Sequence, residues 1–311
     1  MNWKGTLTGI LSSIVIASSG CRTISPPTRN PVNQIRSFEN NNVSLEDRIV
    51  KGTAQSVEQV ITSAVYKITD GKKETMETFS KSGSGTVIDD NDDYYHILTA
   101  HHVVEMPFDI SSTSSSAMGL TGPKLNEILS STTTKAVLRS TVSIEVAGIK
   151  AEVICSDEEL DYALLRVKNN RRLLPLTKNE KVYLGDTDII EVGDYLYSMG
   201  YPLGLDRFVT DGIISNIRFP EYYLGVVKVY RDDAFMFTSP ISHGNSGGPV
   251  FSVAEGNLYL IGVVSGYYTK GNDLYVAFKI NDILKDIRNK GFDIQEMNTK
   301  ITKSYHKTNF K

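Results

Sequence analysis

Six consecutive residues, Gly244-Asn245-Ser246-Gly247-Gly248-Pro249, place a serine inside a glycine-rich turn. A serine hydroxyl is a weak nucleophile at neutral pH. It needs a base to take its proton and a carboxylate to hold that base in one tautomer. Upstream, Thr99-Ala100-His101-His102-Val103-Val104 offers the base, and Asp161-Tyr162-Ala163-Leu164-Leu165 offers the carboxylate. His102, Asp161 and Ser246, in that order, form a candidate triad for acyl transfer. Gly244 lets the backbone turn so that its N–H and that of Ser246 face one spot, where they would stabilise an oxyanion. Gly247 and Gly248 leave room beside the nucleophile, and Pro249 stiffens the chain that follows. The bland alternative is a hairpin turn that happens to contain a serine. The two upstream segments weigh against it.

Gly244-x-Ser246-x-Gly248 also matches the nucleophile elbow of α/β-hydrolases. That fold orders its triad serine, acid, histidine. Downstream of Ser246 stands His306, near the last residue. The elbow also needs a helix after the serine. Here Val250-Phe251 and Leu258–Val264 flank Asn257 as the two strands of a hairpin.

The surrounding elements must position the triad. Runs of β-branched and aromatic residues with frequent turn signals predict an all-β body. The formal net charge is −3, from 33 basic and 36 acidic residues. There is no basic stripe, so nucleic-acid binding has no support. A hydrophobic share of 40% with 24 glycines suits a globular domain. The length suits one unit of two halves, expected to meet near residues 170–180 with the triad at the seam. Asp89-Asp90-Asn91-Asp92-Asp93 reads as a solvated hairpin turn, with a calcium site as the lesser reading.

Together these segments resemble the trypsin-like, chymotrypsin-fold serine peptidases, and within them the HtrA/Deg branch. Val57–Ile68 resembles the short leading helix and first strand of that branch. Gly83-Ser84-Gly85-Thr86-Val87-Ile88 resembles the strand that leads to the histidine. Ala151–Asp157 runs into the Asp161 segment as the family does, and Met199–Gly204 and Val209–Ser215 resemble its activation-domain stretch. The resemblance covers about residues 57–285. It implies an all-β fold of two six-stranded antiparallel β-barrels with a short C-terminal helix, here Ile280–Ile287. It implies an endopeptidase working through an acyl-enzyme on protein or peptide substrates, with no cofactor and no metal. The family's spacing from the threonine selects His102 as base. His101 would then face the other way on a strand or tight turn, and His96 reads as a strand residue. Asp157 is the second candidate acid, and the apolar run after Asp161 favours Asp161.

The resemblance also sets the primary pocket at Pro240, six residues before the nucleophile, opposite Val264-Ser265-Gly266-Tyr267. The Ser265 carbonyl would accept the substrate N–H, and Tyr267 would narrow the pocket. His243 sits at the rim, where a turn role outweighs a polar contact. Without a carboxylate at Pro240, a basic substrate side chain would enter unpaired. Small or medium apolar residues are expected there.

Several segments depart from the family. Arg48-Ile49-Val50-Lys51-Gly52 looks like the cleavage site of trypsin zymogens. However, Asn245 stands where a freed N-terminus needs an aspartate, so activation by cleavage is not expected. Residues 108–135 lengthen the gap between His102 and Asp161. They include a Ser/Thr tract, Ser111–Ser116, and a predicted short helix at Leu125–Leu129, and read as a lid or as a surface excursion. Few residues follow the terminal helix, too few for the PDZ domain that typical relatives carry.

At the N-terminus, Leu7–Ala17 is apolar but too short to span a bilayer. Ser18-Ser19-Gly20-Cys21 resembles a bacterial lipoprotein cleavage site, with Ser18 where that motif usually has leucine. Residues 1–21 are therefore expected to be an export signal with Cys21 lipidated; a soluble exported form is the other reading. Residues 22–56 read as a flexible tether, 57–289 as the peptidase domain and 290–311 as a tail. Cys155 then has no disulfide partner and reads as a packed small side chain.

Three functions fit. An exported serine endopeptidase of the cell envelope, lipid-anchored, periplasmic or secreted, leads. A catalytically inactive relative that binds peptides or partners is weakened by the complete triad. An esterase on the same scaffold is not separated by the residues.

Overall fold

The computed structural model describes residues 45–90, 93–112, 119–140, 142–169, 182–224, 227–254, 256–267, 274–292 and 294. The export signal with Cys21, the expected seam near 170–180 and the side chain of Tyr267 lie outside the described residues.

The first described element is helix α1, Leu45–Ala54. It replaces the last part of the expected tether. The expected leading helix within Val57–Ile68 is instead strand throughout: β1 spans Val57–Asp70 with alternating burial. Val60, Thr62, Ala64, Tyr66 and Ile68 point inward while their neighbours point out, the period-two pattern of a half-buried strand. Pairing along its whole length with β2, Lys73–Asp90, overrides the helical spacing of Val57, Val60 and Ile61. Arg48–Gly52 is part of α1 and not a cleavage loop, and Val50 and Ala54 pack against the core.

The chain continues through β3, Tyr94–Thr99, and the one-turn helix α2, His101–Val104. The inserted region follows, with β4 at Asp109–Ile110, β5 at Leu120–Thr121, α3 at Leu125–Ser130 and β6 at Lys135–Leu138. Then come β7, Ser143–Val146, β8, Ile149–Asp157, and β9, Tyr162–Lys168. The order β1-β7-β8-β9-β3-β2 closes because β2 pairs back onto β1, giving a six-stranded antiparallel barrel. His96 lies on β3 and bonds Asp89 of β2 at 3.0 Å.

The insertion is built onto this barrel. Ile110, Leu120, Ile128 and Ala136 bury against Tyr66 and Phe79, whose rings meet edge to face at 5.4 Å. The Tyr66 hydroxyl donates to the Pro107 carbonyl at 2.5 Å, and burial pushes its phenol up to about 12. The predicted helix at Leu125–Leu129 is present as α3, with Ile128 as its buried anchor. Most of the Ser/Thr tract lies outside the described residues.

The second half begins with β10, Tyr183–Leu184, and β11, Tyr195–Gly200. It continues with β12, Phe208–Asn216, the ribbon β13, Phe219–Leu224, and β14, Val227–Arg231, and then β15, Ala234–Phe237. It ends with β16, Pro249–Ala254, β17, Asn257–Tyr267, and β18, Tyr275–Lys279. The order β17-β16-β11-β12-β15-β18 closes through β17–β18 pairing into a second six-stranded barrel. The elbow of an α/β-hydrolase has no counterpart, because a strand, β16, follows Ser246.

Helix α4, Ile280–Asn289, buries Ile280, Ile283, Leu284 and Ile287, the i, i+3, i+4, i+7 face of an amphipathic helix. Each such side chain contributes about 2 kcal/mol by leaving water. The face joins one core in which Leu98, Tyr162 and Leu164 of the first barrel meet Met199, Phe251 and Leu260 of the second. Tyr162 donates to Asp286 of α4 at 2.6 Å. Lys290, expected to begin the tail, reaches Asp157 at 3.0 Å and the Ser156 carbonyl at 2.9 Å. Cys155 is half-buried beside this cluster, and burial pushes its thiol up.

Candidate active site

The first barrel supplies two of the three candidate residues. His102 follows β3 on α2, with the buried Val103 and Val104 pinning the turn. Its backbone N–H donates to Asp161 Oδ1 at 3.0 Å, and its ring Nδ1 lies 2.8 Å from Asp161 Oδ2. Asp161 thus grips His102 at two points, and its side chain is 13% exposed against 46% for the imidazole. Asp161 sits just before β9 with φ of 43°, in the left-handed region that aspartate and asparagine tolerate better than most residues.

Asp157 does different work. It accepts the N–H groups of Glu159 and Leu160, each at 3.0 Å, and so braces the turn that presents Asp161. His101 shares the one-turn helix, not a strand, and its Nε2 lies 3.4 Å from Glu105.

The second barrel supplies Ser246, in the loop between β15 and β16. The loop's amides are unequally used. Asn245 N–H donates to Ser242, Gly247 N–H to Val264 and Gly248 N–H to Asn245, at 3.0, 2.7 and 2.9 Å. Among the described residues the N–H groups of Gly244 and Ser246 donate to no other group. These are the two amides that an oxyanion would need. Gly244 has φ of 99°, and a Cβ there would strike the Tyr201 carbonyl. Gly247 has φ of 81°, and a Cβ there would strike Thr99 and the Ser84 carbonyl of the first barrel. Asn245 is 2% exposed, and among the described residues its Oδ1 has no hydrogen-bond partner.

The Ser246 hydroxyl donates to the Ser265 carbonyl at 3.3 Å. Among the described residues no hydrogen bond joins Ser246 to His102.

Two side chains with a part in the site were missed as such. Ser265 was assigned a backbone role, yet its hydroxyl donates to Asp161 Oδ2 at 2.5 Å and ties the second barrel to the carboxylate. Ser84 is fully buried between Gly83 and Gly85 on β2. Its hydroxyl donates to the Gly244 carbonyl at 2.7 Å and accepts the Tyr201 N–H at 2.9 Å, while its own N–H donates to the Ser246 carbonyl at 2.8 Å. The signal for Ser84 was its place between two glycines in a strand, where backbone from the other barrel could come close.

At the expected pocket, Pro240 is exposed and its carbonyl accepts the Thr210 hydroxyl at 2.9 Å. That hydroxyl also bonds Ser239 at 2.8 Å. The His243 carbonyl accepts the Leu203 N–H at 2.5 Å, so its backbone braces the loop.

A family model, the trypsin-like peptidase domain, matches residues 83–263. The probable periplasmic serine endoprotease DegP-like of Pseudomonas fluorescens is 31% identical over 171 residues, 50% of this chain and 33% of that protein. The magnetosome formation protease MamE of Paramagnetospirillum magneticum is 36% identical over 119 residues, 38% of this chain and 15% of that protein. The chain therefore spans a third or less of the length of these relatives. The Rv3671c protease of M. tuberculosis, in its active form, aligns over 92% of this chain and 97% of its own at a TM-score of 0.49 and 19% identity, a likeness that carries no functional argument. The family match runs from the β2 segment before the histidine into β17, includes His102, Asp161 and Ser246, and covers more than half of the chain. The chain belongs to the trypsin-like peptidase domain family.

Proposed function

We propose that this protein is an exported serine endopeptidase that cleaves protein or peptide substrates through an acyl-enzyme. The observation that carries this reading is the pairing of a carboxylate-gripped His102 with a serine loop whose Gly244 and Ser246 amides are unengaged. In the proposed cycle Ser246 Oγ turns from the Ser265 carbonyl and gives its proton to His102 as it attacks the substrate carbonyl. The developing oxyanion takes the two amides, and His102 passes the proton to the leaving amine as the C–N bond breaks. His102 then takes a proton from a water that attacks the acyl-enzyme and returns it to Ser246 Oγ as the acyl group leaves. Asp161 holds the imidazole in the tautomer with Nδ1–H toward the carboxylate. The Ser265 carbonyl, freed, accepts the substrate N–H.

Pro240 is taken as the base of the primary pocket. The purified protein is expected to cleave a denatured protein mixture after Val, Ala or Leu. Mass-spectrometric mapping of the new termini checks both activity and preference. A dominant cut after Lys or Arg overturns the pocket assignment, and no new termini overturns the peptidase reading.

The DegP-like relative, described as periplasmic, supports placing this chain in the cell envelope. With Ser18-Ser19-Gly20-Cys21 as an acylation site, Cys21 would carry the anchor. One acyl chain holds a protein only marginally, so stable attachment needs more than one. Cys21→Ser is expected to move the protein from the membrane to the soluble fraction and to abolish incorporation of labelled fatty acid. Wild-type protein found wholly soluble and unlabelled overturns the anchor.

A further inference from the structure

Lys81 stands on β2, half-buried beside the candidate base. Its ammonium donates to the backbone carbonyl of His102 at 2.6 Å. Three atoms of His102 are thereby held: the N–H and Nδ1 by Asp161, and the carbonyl oxygen by Lys81.

The third restraint matters because α2 is a single turn. Its backbone bonds run from Val103 N–H to Ala100 and from Glu105 N–H to His101, at 3.2 and 3.1 Å. The last carbonyls of a helix have no partner inside it. Lys81, from a strand of the barrel wall, supplies one for His102. The N–H and C=O of a helical residue point in opposite directions along the axis. Asp161 and Lys81 therefore hold His102 from both ends.

The charged and titratable groups facing Lys81 are His102 on α2, Glu105 just after it, whose carboxylate also lies 3.4 Å from His101, and Asp161 before β9. Glu105 and Asp161 favour its charge, yet burial outweighs them and pushes the ammonium down to about 8. The sign of the linkage follows. The folded value lies below that of the unfolded chain, so the charged form works against folding below about pH 8 and is relieved as pH rises past it. A side chain kept for stability alone would gain from being apolar here.

We propose that Lys81 is a positioning residue for the reaction assigned to Ser246, holding His102 through its backbone so that the imidazole keeps its aim. The inference rests on the endopeptidase reading. The Lys81 ammonium contacts the His102 carbonyl, so its loss is expected to act on the base and not on substrate affinity. Lys81→Met is therefore expected to lower kcat about tenfold, with KM changed less than about twofold and Tm unchanged or raised. Lys81→Arg restores most of the rate.

The pH profile adds a readout that a merely structural role would not move. Wild-type kcat declines as pH rises through about 8, where the ammonium loses its charge and its hydrogen bond weakens. In Lys81→Arg that decline moves to higher pH, because the guanidinium stays charged. An unchanged kcat in Lys81→Met, or a kcat loss matched by a fall in Tm, overturns the proposal.

A second measurement needs no turnover. In a Ser246→Ala background, the downfield proton NMR signal of His102 Nδ1–H is followed with and without Lys81→Met. Faster solvent exchange in the methionine chain supports positioning, and identical exchange overturns it. If that difference appears while wild-type protein hydrolyses nothing, the endopeptidase reading falls and the positioning of His102 by Lys81 stands.

Discussion

Ser246→Ala is expected to lower kcat by several orders of magnitude and leave the protein folded. The substitution removes one hydroxyl, which makes a 3.3 Å bond to the Ser265 carbonyl. Such a bond contributes about 1 kcal/mol or less to stability. The backbone of residue 246 keeps its work, because its carbonyl still accepts the Ser84 N–H across the seam. The loop should therefore hold its shape, and Tm should stay within a few degrees. Only the proposed nucleophile is lost. What survives is the modest rate from the two amides and from substrate binding. Turnover of a denatured protein substrate and a thermal melt, measured on the same sample, check both halves. Near-wild-type hydrolysis by the alanine variant would remove Ser246 from the mechanism altogether.

Asp161→Asn should be almost as damaging, with a loss in kcat of about a thousandfold or more and little change in KM. The carboxylate accepts from three groups: the His102 N–H, the His102 ring and the Ser265 hydroxyl. An amide offers a single oxygen, and its NH2 must face one of these partners. With the NH2 toward Nδ1, the imidazole is held in the wrong tautomer and cannot take a proton from serine. The variant isolates chemistry from folding, because asparagine tolerates the φ of 43° that Asp161 adopts. Steady-state kinetics beside a thermal melt give the test. A large loss of Tm, or a kcat within tenfold of wild type, contradicts the role assigned to Asp161.

The candidate triad was legible because each member sits in a short segment whose neighbours declare its setting. Ser246 has its glycines, Asp161 its apolar strand and His102 its Thr-Ala lead. The all-β body was legible from its β-branched and aromatic runs with frequent turn signals, and the terminal helix at Ile280–Ile287 came with the resemblance. What escaped was set by contacts between distant segments. Val57-Glu58-Gln59-Val60-Ile61 has helical spacing, and only pairing with β2 and β7 decides that it is strand. Leu45–Ala54 falls within the Thr-, Pro-, Asn- and Ser-rich stretch 22–56 that reads as tether, yet Val50 and Ala54 find the shared core. Ser84, Ser265 and Lys81 are common residue types, and the hydroxyl and ammonium contacts that distinguish them cross between segments or between barrels. Asp157 and Lys290 likewise became intelligible only once α4 was seen against the turn before β9.

Helix α4 also bears on how the two barrels hold together. It follows every barrel strand in the chain, and its apolar face completes the core that both barrels share. Its Asp286, with the adjoining Lys290, is what reaches Tyr162 and Asp157, on either side of the turn that presents Asp161. The two barrels therefore have no separate interiors on that side: Leu98, Tyr162 and Leu164 of the first and Met199, Phe251 and Leu260 of the second belong to the one core that α4 covers. Lifting this helix would open both halves to water together, so neither half can loosen there alone.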